Sequence, residues 1–413
     1  MLCMCQENKM IHKVVLNRYS STFEIKIETN NKTFLDGQFK VFNFFIHYNI
    51  IGKKTLKLGE YILRAIDFFC GGGGMTNGLI QAGIEVIAGV DLDPEAKETY
   101  EINNNGAKFV NADITKLPLD YFEKEFSVSR NDDEMVFVGC SPCQFYSIIR
   151  SSKEKSRKTK DLLLYFEKFV EYYRPGYILV ENVPGIISNK ESILENFLQK
   201  LDELGYGNKE NGRCVYDVVN MKNYGIPQNR RRFSLIATRL DKIVHLPEHE
   251  EHIMTVREAI GDENLFPKIP AGYRDEDRVR FHSARSLAPI NLKRIKLVKH
   301  NGGTRMSFKD NPELQLKCYA GKDNSFRDVY GRLYWDRPSS TITTKFLSIS
   351  NGRFGHPEQN RGISIREGAS LQSFPNDYNF ETDSITTAAR LIGNAVPPEY
   401  GRRLGQTLLE LNR

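Results

Sequence analysis

The sequence has no apolar run approaching the roughly 18 residues of a membrane-spanning helix, so no span is expected. Its opening stretch, MLCMCQENKMIHKVV, lacks the apolar centre of a secretion signal, which predicts a cytoplasmic protein. Cysteine is sparse and unframed. Seven of them, at irregular spacing, suit a reducing compartment better than a disulfide scaffold. A structural zinc site needs about four Cys or His ligands in two spaced pairs. Cys140 and Cys143 have no second such pair, Cys3 and Cys5 stand too close together, and HEEH at 249–252 reads as a solvated loop. No metal is expected. Acid is also missing between Leu292 and Lys309, where Lys293, Arg294, Lys296, Lys299, Arg305 and Lys309 have no counter-charge. Six uncompensated cations predict a surface that faces phosphate. The net charge of +6 alone would not carry that reading.

What is present is alternation. The 413 residues, 40% apolar and 27% charged, can bury one large core or two smaller ones. In residues 1–60, TFEIKIET alternates with period two and predicts a small β-rich appendage, while GQFKVFNFFIHYNII reads as either a strand or a short buried helix. From residue 61 the pattern sharpens. Apolar strand runs at 61–69, 85–91, 108–113, 135–140, 177–183 and 230–238 alternate with helical segments, which predicts a doubly wound α/β domain. After about residue 240 the alternation stops in favour of polar, irregular sequence, and the chain ends in an amphipathic helix.

Two stretches carry chemistry. The glycine-rich turn CGGGG follows the first strand and opens a helix, where backbone can approach a ligand. Asp91 ends the second strand, 20 residues after Gly71, where an acid can take ribose hydroxyls; Asp113 ends the third, within reach of an adenine amine. The dinucleotide pattern breaks at Thr76, so a small adenosyl ligand without pyrophosphate fits better than a nicotinamide cofactor. The second stretch is VGCSPCQFYS at 138–147. Cys140 ends an apolar strand and reads as a buried, inert thiol. Cys143 follows a proline at the strand's carboxyl edge, where α/β sheets place ligands, and reads as a nucleophile.

Taken together, these segments resemble the cytosine-C5 DNA methyltransferases. DFFCGGGG is similar to their Phe-x-Gly-x-Gly motif, SPCQFYS to their Pro-Cys-Gln, and ENV at 181–183 to their Glu-Asn-Val. QNRRRF (228–233) is similar to Gln-x-Arg-x-Arg, RPSSTITT (337–344) to the arginine–threonine motif, and GNAVPP (393–398) to the last motif, all in the family's order. Ser141 stands where the family often has proline or glycine.

The resemblance implies a catalytic domain at 61–240, target recognition at 241–360, and a hinge with returning C-terminal helix at 361–413. It implies Cys143, Glu181, Arg230 and Arg232 as catalytic residues. It implies Phe69, Gly71, Gly73, Asp91, Leu92, Asp113, Ile114 and Asn394 around S-adenosylmethionine, the product being S-adenosylhomocysteine. Gln144, Ser147, Arg230, Lys293, Arg294, Lys296, Arg305 and Thr341 are expected on double-stranded DNA. Gln228, Arg230 and Arg232 share one strand face by period, so both arginines are expected to reach one base or phosphate, or to hold Glu181. RSSKEKSRKTKD (150–161) is expected to act as a basic lid. A monomer working beside a cognate restriction endonuclease completes the expectation. The same chemistry on RNA is the alternative, which the length of the 241–335 segment disfavours.

Overall fold

In a computed structural model of the chain, the described residues are the backbone of 2–7, 10–19, 22–29 and 32–34, together with 63–142, 161–277, 280–319 and 321–412. The chain divides into two compact units, Met1–Tyr61 and Ile62–Arg413. The first is an antiparallel sheet of β1 (Leu2–Glu7), β2 (Met10–Tyr19), β3 (Thr22–Thr29) and β4 (Lys32–Phe34), in that order. The alternating TFEIKIET is β3. The segment GQFKVFNFFIHYNII lies outside the described residues.

The second unit is built on a seven-stranded sheet. Its strands are β5 (Arg64–Phe68), β6 (Glu85–Asp91), β7 (Lys108–Asn111), β8 (Met135–Gly139), β9 (Tyr177–Asn182), β10 (Cys214–Asn220) and β12 (Arg231–Thr238). The spatial order is β10-β12-β9-β8-β5-β6-β7. The five strands from β9 to β7 are parallel, and β12 and β10 close that end antiparallel. A pair of two-residue strands, β11 (Gln228–Asn229) and β13 (Ser339–Ser340), lies apart from it.

The helices that matter below are α1 (Gly74–Ala82), α2 (Lys97–Asn103), α3 (Tyr121–Phe126), α4 (Leu162–Tyr173), α5 (Leu194–Glu203), α6 (Pro289–Leu297), α7 (Ile385–Asn394) and α8 (Pro398–Glu410). Alternate strand residues feed two cores, as a pleated sheet requires. Ile66, Phe68, Phe137, Ile178 and Val180 pack with Phe122 of α3, Phe166 and Phe169 of α4, and Phe197 of α5. Ala65, Val136, Val138, Tyr177 and Leu179 pack on the other side with Leu79 of α1, Tyr100 of α2, and Leu404 and Leu408 of α8. The C-terminal helix thus covers the face that begins with the glycine turn. Because buried parallel strands are apolar on both faces, the alternation of runs was readable. The doubly wound fold is as expected.

β10 and α3 are among the elements that the sequence pattern does not show, as is α6, which forms inside the stretch expected to be irregular. β10, CVYDVVN, is an edge strand with five half-exposed or exposed positions, and α3 is six residues long. Beyond β12 the chain forms two further clusters. One, with Val256, Phe281, Trp335 and Phe346, continues into Ile365, Phe374 and Ile392. The other, smaller, gathers Ile295, Val298, Phe308, Leu314, Tyr330 and Ile349.

Candidate active site

Strand order reverses between β5 and β8: from β5 the chain proceeds outward to β6 and β7, and from β8 the other way to β9. In α/β sheets the crevice at the carboxyl ends beside such a switch is where ligands bind. Phe68 pairs with Gly139 at the ends of β5 and β8, so the glycine turn and the segment leading to Cys143 leave the sheet side by side.

The glycine turn is held open by backbone geometry. Phe69 and Gly71 adopt positive φ of 65° and 50°. A Cβ at Gly71 would meet nothing within 4 Å, so the turn faces open space. Gly73, at φ 87°, caps α1, and a Cβ there would stand 2.2 Å from Nδ2 of Asn104. Gly71 donates its N–H to Oδ2 of Asp91 at 2.8 Å, and Asp93 donates its N–H to Oδ1 of the same carboxylate at 2.9 Å. Burial pushes the Asp91 carboxyl up, while the Gly71 N–H, the Arg390 guanidinium and the Leu92 N–H oppose the shift. Leu92, between two acids, is 68% exposed. Asp113 accepts the N–H and hydroxyl of Thr115 at its Oδ1, which hold its carboxyl low.

An open backbone turn, an acid beside it, a bare apolar side chain and a second acid on the next strand fit an adenosyl ligand. The turn offers backbone where a diol or amino-acid moiety can approach, Asp91 offers oxygens, and Leu92 offers a face for a flat ring. The Ile114 side chain is 5% exposed and belongs to the core with Phe122 and Val128, so only its backbone remains for a ligand.

On the other side of the switch, Glu181 is the penultimate residue of β9 and 8% exposed. Burial pushes its carboxyl up, against the pull of Arg232 and then Arg230. The Arg232 Nε lies 3.1 Å from its Oε1. Asn182, the next residue, donates Nδ2 to the Ser141 hydroxyl at 3.2 Å and to the Ser141 carbonyl at 3.4 Å. Asn182 thus ties the strand end of β9 to Ser141, two residues before Cys143 and in the place where the family often has proline or glycine. Asn182 lay inside the ENV motif, yet nothing in the string told which loop it would hold. Cys140 is half-buried and packs on the core. Cys143, Gln144, Ser147 and the basic segment 150–160 lie outside the described residues.

Several arginines were assigned wrongly. Arg230 is 3% exposed and cannot reach a base or a phosphate. It donates to the carbonyls of Ile342 at 2.9 Å, Gly393 at 3.4–3.5 Å and Ala395 at 3.2 Å. Arg230 lies between the end of β11 and the start of β12, and of the two expected roles only the one toward Glu181 is in keeping with its place, since Arg232 and Arg230 both pull on that carboxyl. Gln228 joins Arg230: its Oε1 accepts the Ile342 N–H at 2.8 Å, and its Nε2 reaches the Leu371 carbonyl and Gln372. QNRRRF, RPSSTITT and GNAVPP therefore meet at a buried polar hub, and Thr341 donates its hydroxyl to the Asn229 carbonyl at 2.9 Å. Gly393 permits this closeness, since a Cβ there would lie 2.3 Å from the Thr344 nitrogen. Asn394, next in sequence, is exposed.

The basic run divides in the same way. Arg294 (7% exposed) bonds the Leu314 and Gln315 carbonyls and Asn291, and Arg305 (6% exposed) bonds the Lys322, Ser325 and Phe326 carbonyls. Both are structural, so their assignment to DNA is overturned. Lys293, Lys296, Lys299 and Lys309 are exposed.

A Rossmann-like sheet with an adenosyl-type turn on one side of the switch and a buried acid–arginine pair on the other defines a methyltransferase-type site. Comparison with known proteins agrees. A family model described as C-5 cytosine-specific DNA methylase matches residues 63–410. The chain is 38% identical over 353 residues to the Type II methylase M.HgiDII of Herpetosiphon aurantiacus, covering 83% of this chain and 94% of that one. It is 30% identical over 367 residues to the Type II methyltransferase M1.BsuMI of Bacillus subtilis strain 168, covering 84% and 80%. A crystal structure described as a prophage-encoded DNA modification methyltransferase of E. coli shares the fold, with a TM-score of 0.64 at 21% identity over 85% of this chain and 99% of that one. The chain belongs to the C-5 cytosine-specific DNA methylase family, and it methylates DNA at cytosine C5.

Proposed function

We propose that the methyl donor is S-adenosylmethionine, that the target cytosine is flipped out of duplex DNA, and that Cys143 attacks it. The observation that carries this reading is the pair of β9-end residues beside the switch point. Glu181 is buried with a carboxyl whose proton is held more tightly than usual, and Asn182 fastens the segment that delivers Cys143.

The chemistry follows from the weakness of cytosine C5 as a nucleophile. The Cys143 thiolate adds to C6 while Glu181 gives its proton to N3, and the ring electrons collect at C5. S-adenosylmethionine supplies an electrophilic methyl group and leaves as S-adenosylhomocysteine. The C5 proton then passes to water, its electron pair re-forms the C5–C6 double bond as the Cys143 sulfur leaves as thiolate, and N3 returns its proton to Glu181. Arg232 keeps Glu181 aimed and limits how far burial raises its proton affinity. The target carbon lies inside the stack, so extrusion costs a few kcal/mol, which contacts to the backbone must offset.

Residues 241–360 form the target-recognition part in this reading, and 361–413 return the chain to the catalytic sheet. The Type II relatives support a partnership with a restriction endonuclease acting on the same site. No helix among the described residues is long and apolar enough to cross a membrane, and a monomer in the bacterial cytosol fits a DNA-acting enzyme.

The test is covalent trapping. Duplex DNA with 5-fluorocytosine at the target has no C5 proton to lose, so it should form a stable adduct that requires both S-adenosylmethionine and Cys143. Mass spectrometry should locate the bond at Cys143, and Cys143→Ser should form none. An adduct at Cys140, or full turnover by Cys143→Ser, overturns the assignment. Labelled methyl appearing in RNA and not in DNA would overturn the substrate.

A further inference from the structure

The acid that faces the donor is not held by its own strand alone. Asp91 receives the Gly71 N–H on one oxygen and the Asp93 N–H on the other, so its orientation depends on where Asp93 sits. The Asp93 side chain accepts the Glu95 N–H at 3.2 Å, closing a tight turn, and it is held from outside by Arg390. Arg390 stands on α7, nearly 300 residues away in sequence. One guanidinium nitrogen bonds Asp93, and the other reaches Oε2 of Glu95 at 2.6 Å. Thr387, one turn earlier on α7, donates its hydroxyl to Oε1 of Glu95 at 3.3 Å. The same face of the molecule presses on the glycine turn. Tyr378 donates its hydroxyl to the Gly72 carbonyl, and the Leu391 Cβ lies 3.2 Å from where a Cβ of Gly72 would be.

A strap bearing Asp91, Asp93 and Glu95 repels itself. An arginine with its two arms on two of the three acids fixes the strap's shape and lowers that repulsion. We propose that Arg390 is a positioning residue for the methyl donor: from α7 it fixes Asp93 and Glu95 so that Asp91 keeps the orientation that receives the donor's ribose. This rests on the reading of Asp91 as the ribose acceptor. It also gives α7, which ends at Asn394, a role at the donor's outer edge.

The experiment measures S-adenosylmethionine binding by calorimetry and methyl-transfer kinetics on the full chain. Arg390→Ala should weaken donor affinity about tenfold, the scale of one charge-assisted contact. The loss should appear in KM for the donor rather than in kcat or in KM for DNA. Arg390→Lys should restore part of it, because a cation remains but the two-armed geometry does not. Asp93→Asn, which keeps Arg390 and removes one of its partners, should raise the donor KM in the same direction, and it decides the matter should Arg390→Ala fail to fold. A change confined to kcat, or unchanged donor affinity in folded Arg390→Ala and Asp93→Asn, overturns the inference. Failure of the parent chain to bind S-adenosylmethionine would instead remove the donor assignment itself.

Discussion

A side chain's chemistry depends on what surrounds it, and Asp67 shows the extreme. It lies on β5 under the glycine turn, fully buried, accepting the Thr76 hydroxyl on Oδ2 at 2.7 Å. Its Oδ1 has no hydrogen-bond partner among the described residues. Burial is the main cause that pushes its carboxyl from the ordinary 3.8 up to about 7, with the Asp91 charge adding to it. The folded state therefore holds a proton that the unfolded chain releases. Stability from this group is fully present below pH 3.8 and is lost as pH rises through about 7. Asp67→Asn keeps an oxygen for Thr76 and removes the titration. Its stability relative to the parent should improve steadily between pH 4 and 7 in denaturant titrations, measured as a difference so that other groups cancel. A difference that stays flat with pH would mean that Asp67 is ionised in the fold.

One helix carries both kinds of cation. α6, PINLKRIKL, turns Lys293 and Lys296 to solvent while Arg294 points inward to the Leu314 carbonyl at 2.9 Å. Two of its three bonds tie α6 to the segment 314–315, the third stays within the helix at Asn291, and no carboxylate shares in them. Two consequences separate cleanly. Lys293→Ala with Lys296→Ala should reduce the slope of log DNA affinity against log salt by about 0.9 for each lost phosphate contact, with stability unchanged. Arg294→Ala should cost about 1–3 kcal/mol of stability, since carbonyls are left unpaired, and leave the salt slope alone. Equal salt slopes for parent and double variant would place this helix away from DNA.

At the scale of the whole molecule, the last helix closes the first. A Cβ on Gly78 of α1 would stand 2.1 Å from the Pro398 carbonyl oxygen and 2.6 Å from the Arg402 nitrogen, both backbone atoms of α8. Neither can swing aside. Gly78→Ala should therefore destabilise by about 1–3 kcal/mol through overpacking, although alanine is the better helix former. A denaturation midpoint at or above the parent's would show that the helices separate without cost. Because α1 begins at the glycine turn, the same substitution should also weaken donor binding.

Some of this was written in the chain order. Parallel strands buried on both faces appear as continuous apolar runs, and site residues at strand ends follow those runs directly, so β5 to β9, Asp91, Asp113, Glu181 and the approach to Cys143 were readable from local pattern. An edge strand such as β10 is half solvated and carries no such run. Charge was the harder matter. A run of cations with no acid looks the same whether its members face phosphate or backbone carbonyls, and only packing separates Lys293 from Arg294. The sequence by itself determined the fold, through apolar runs of short range, and the family, through motifs that each occupy a few consecutive residues. The tertiary structure alone decided that Arg230 is a buried tie between three motifs and that Arg390 reaches Asp93 and Glu95. A guanidinium's partners are chosen by whichever carbonyls and carboxylates the fold brings within about 3 Å, a distance at which separation along the chain has no bearing.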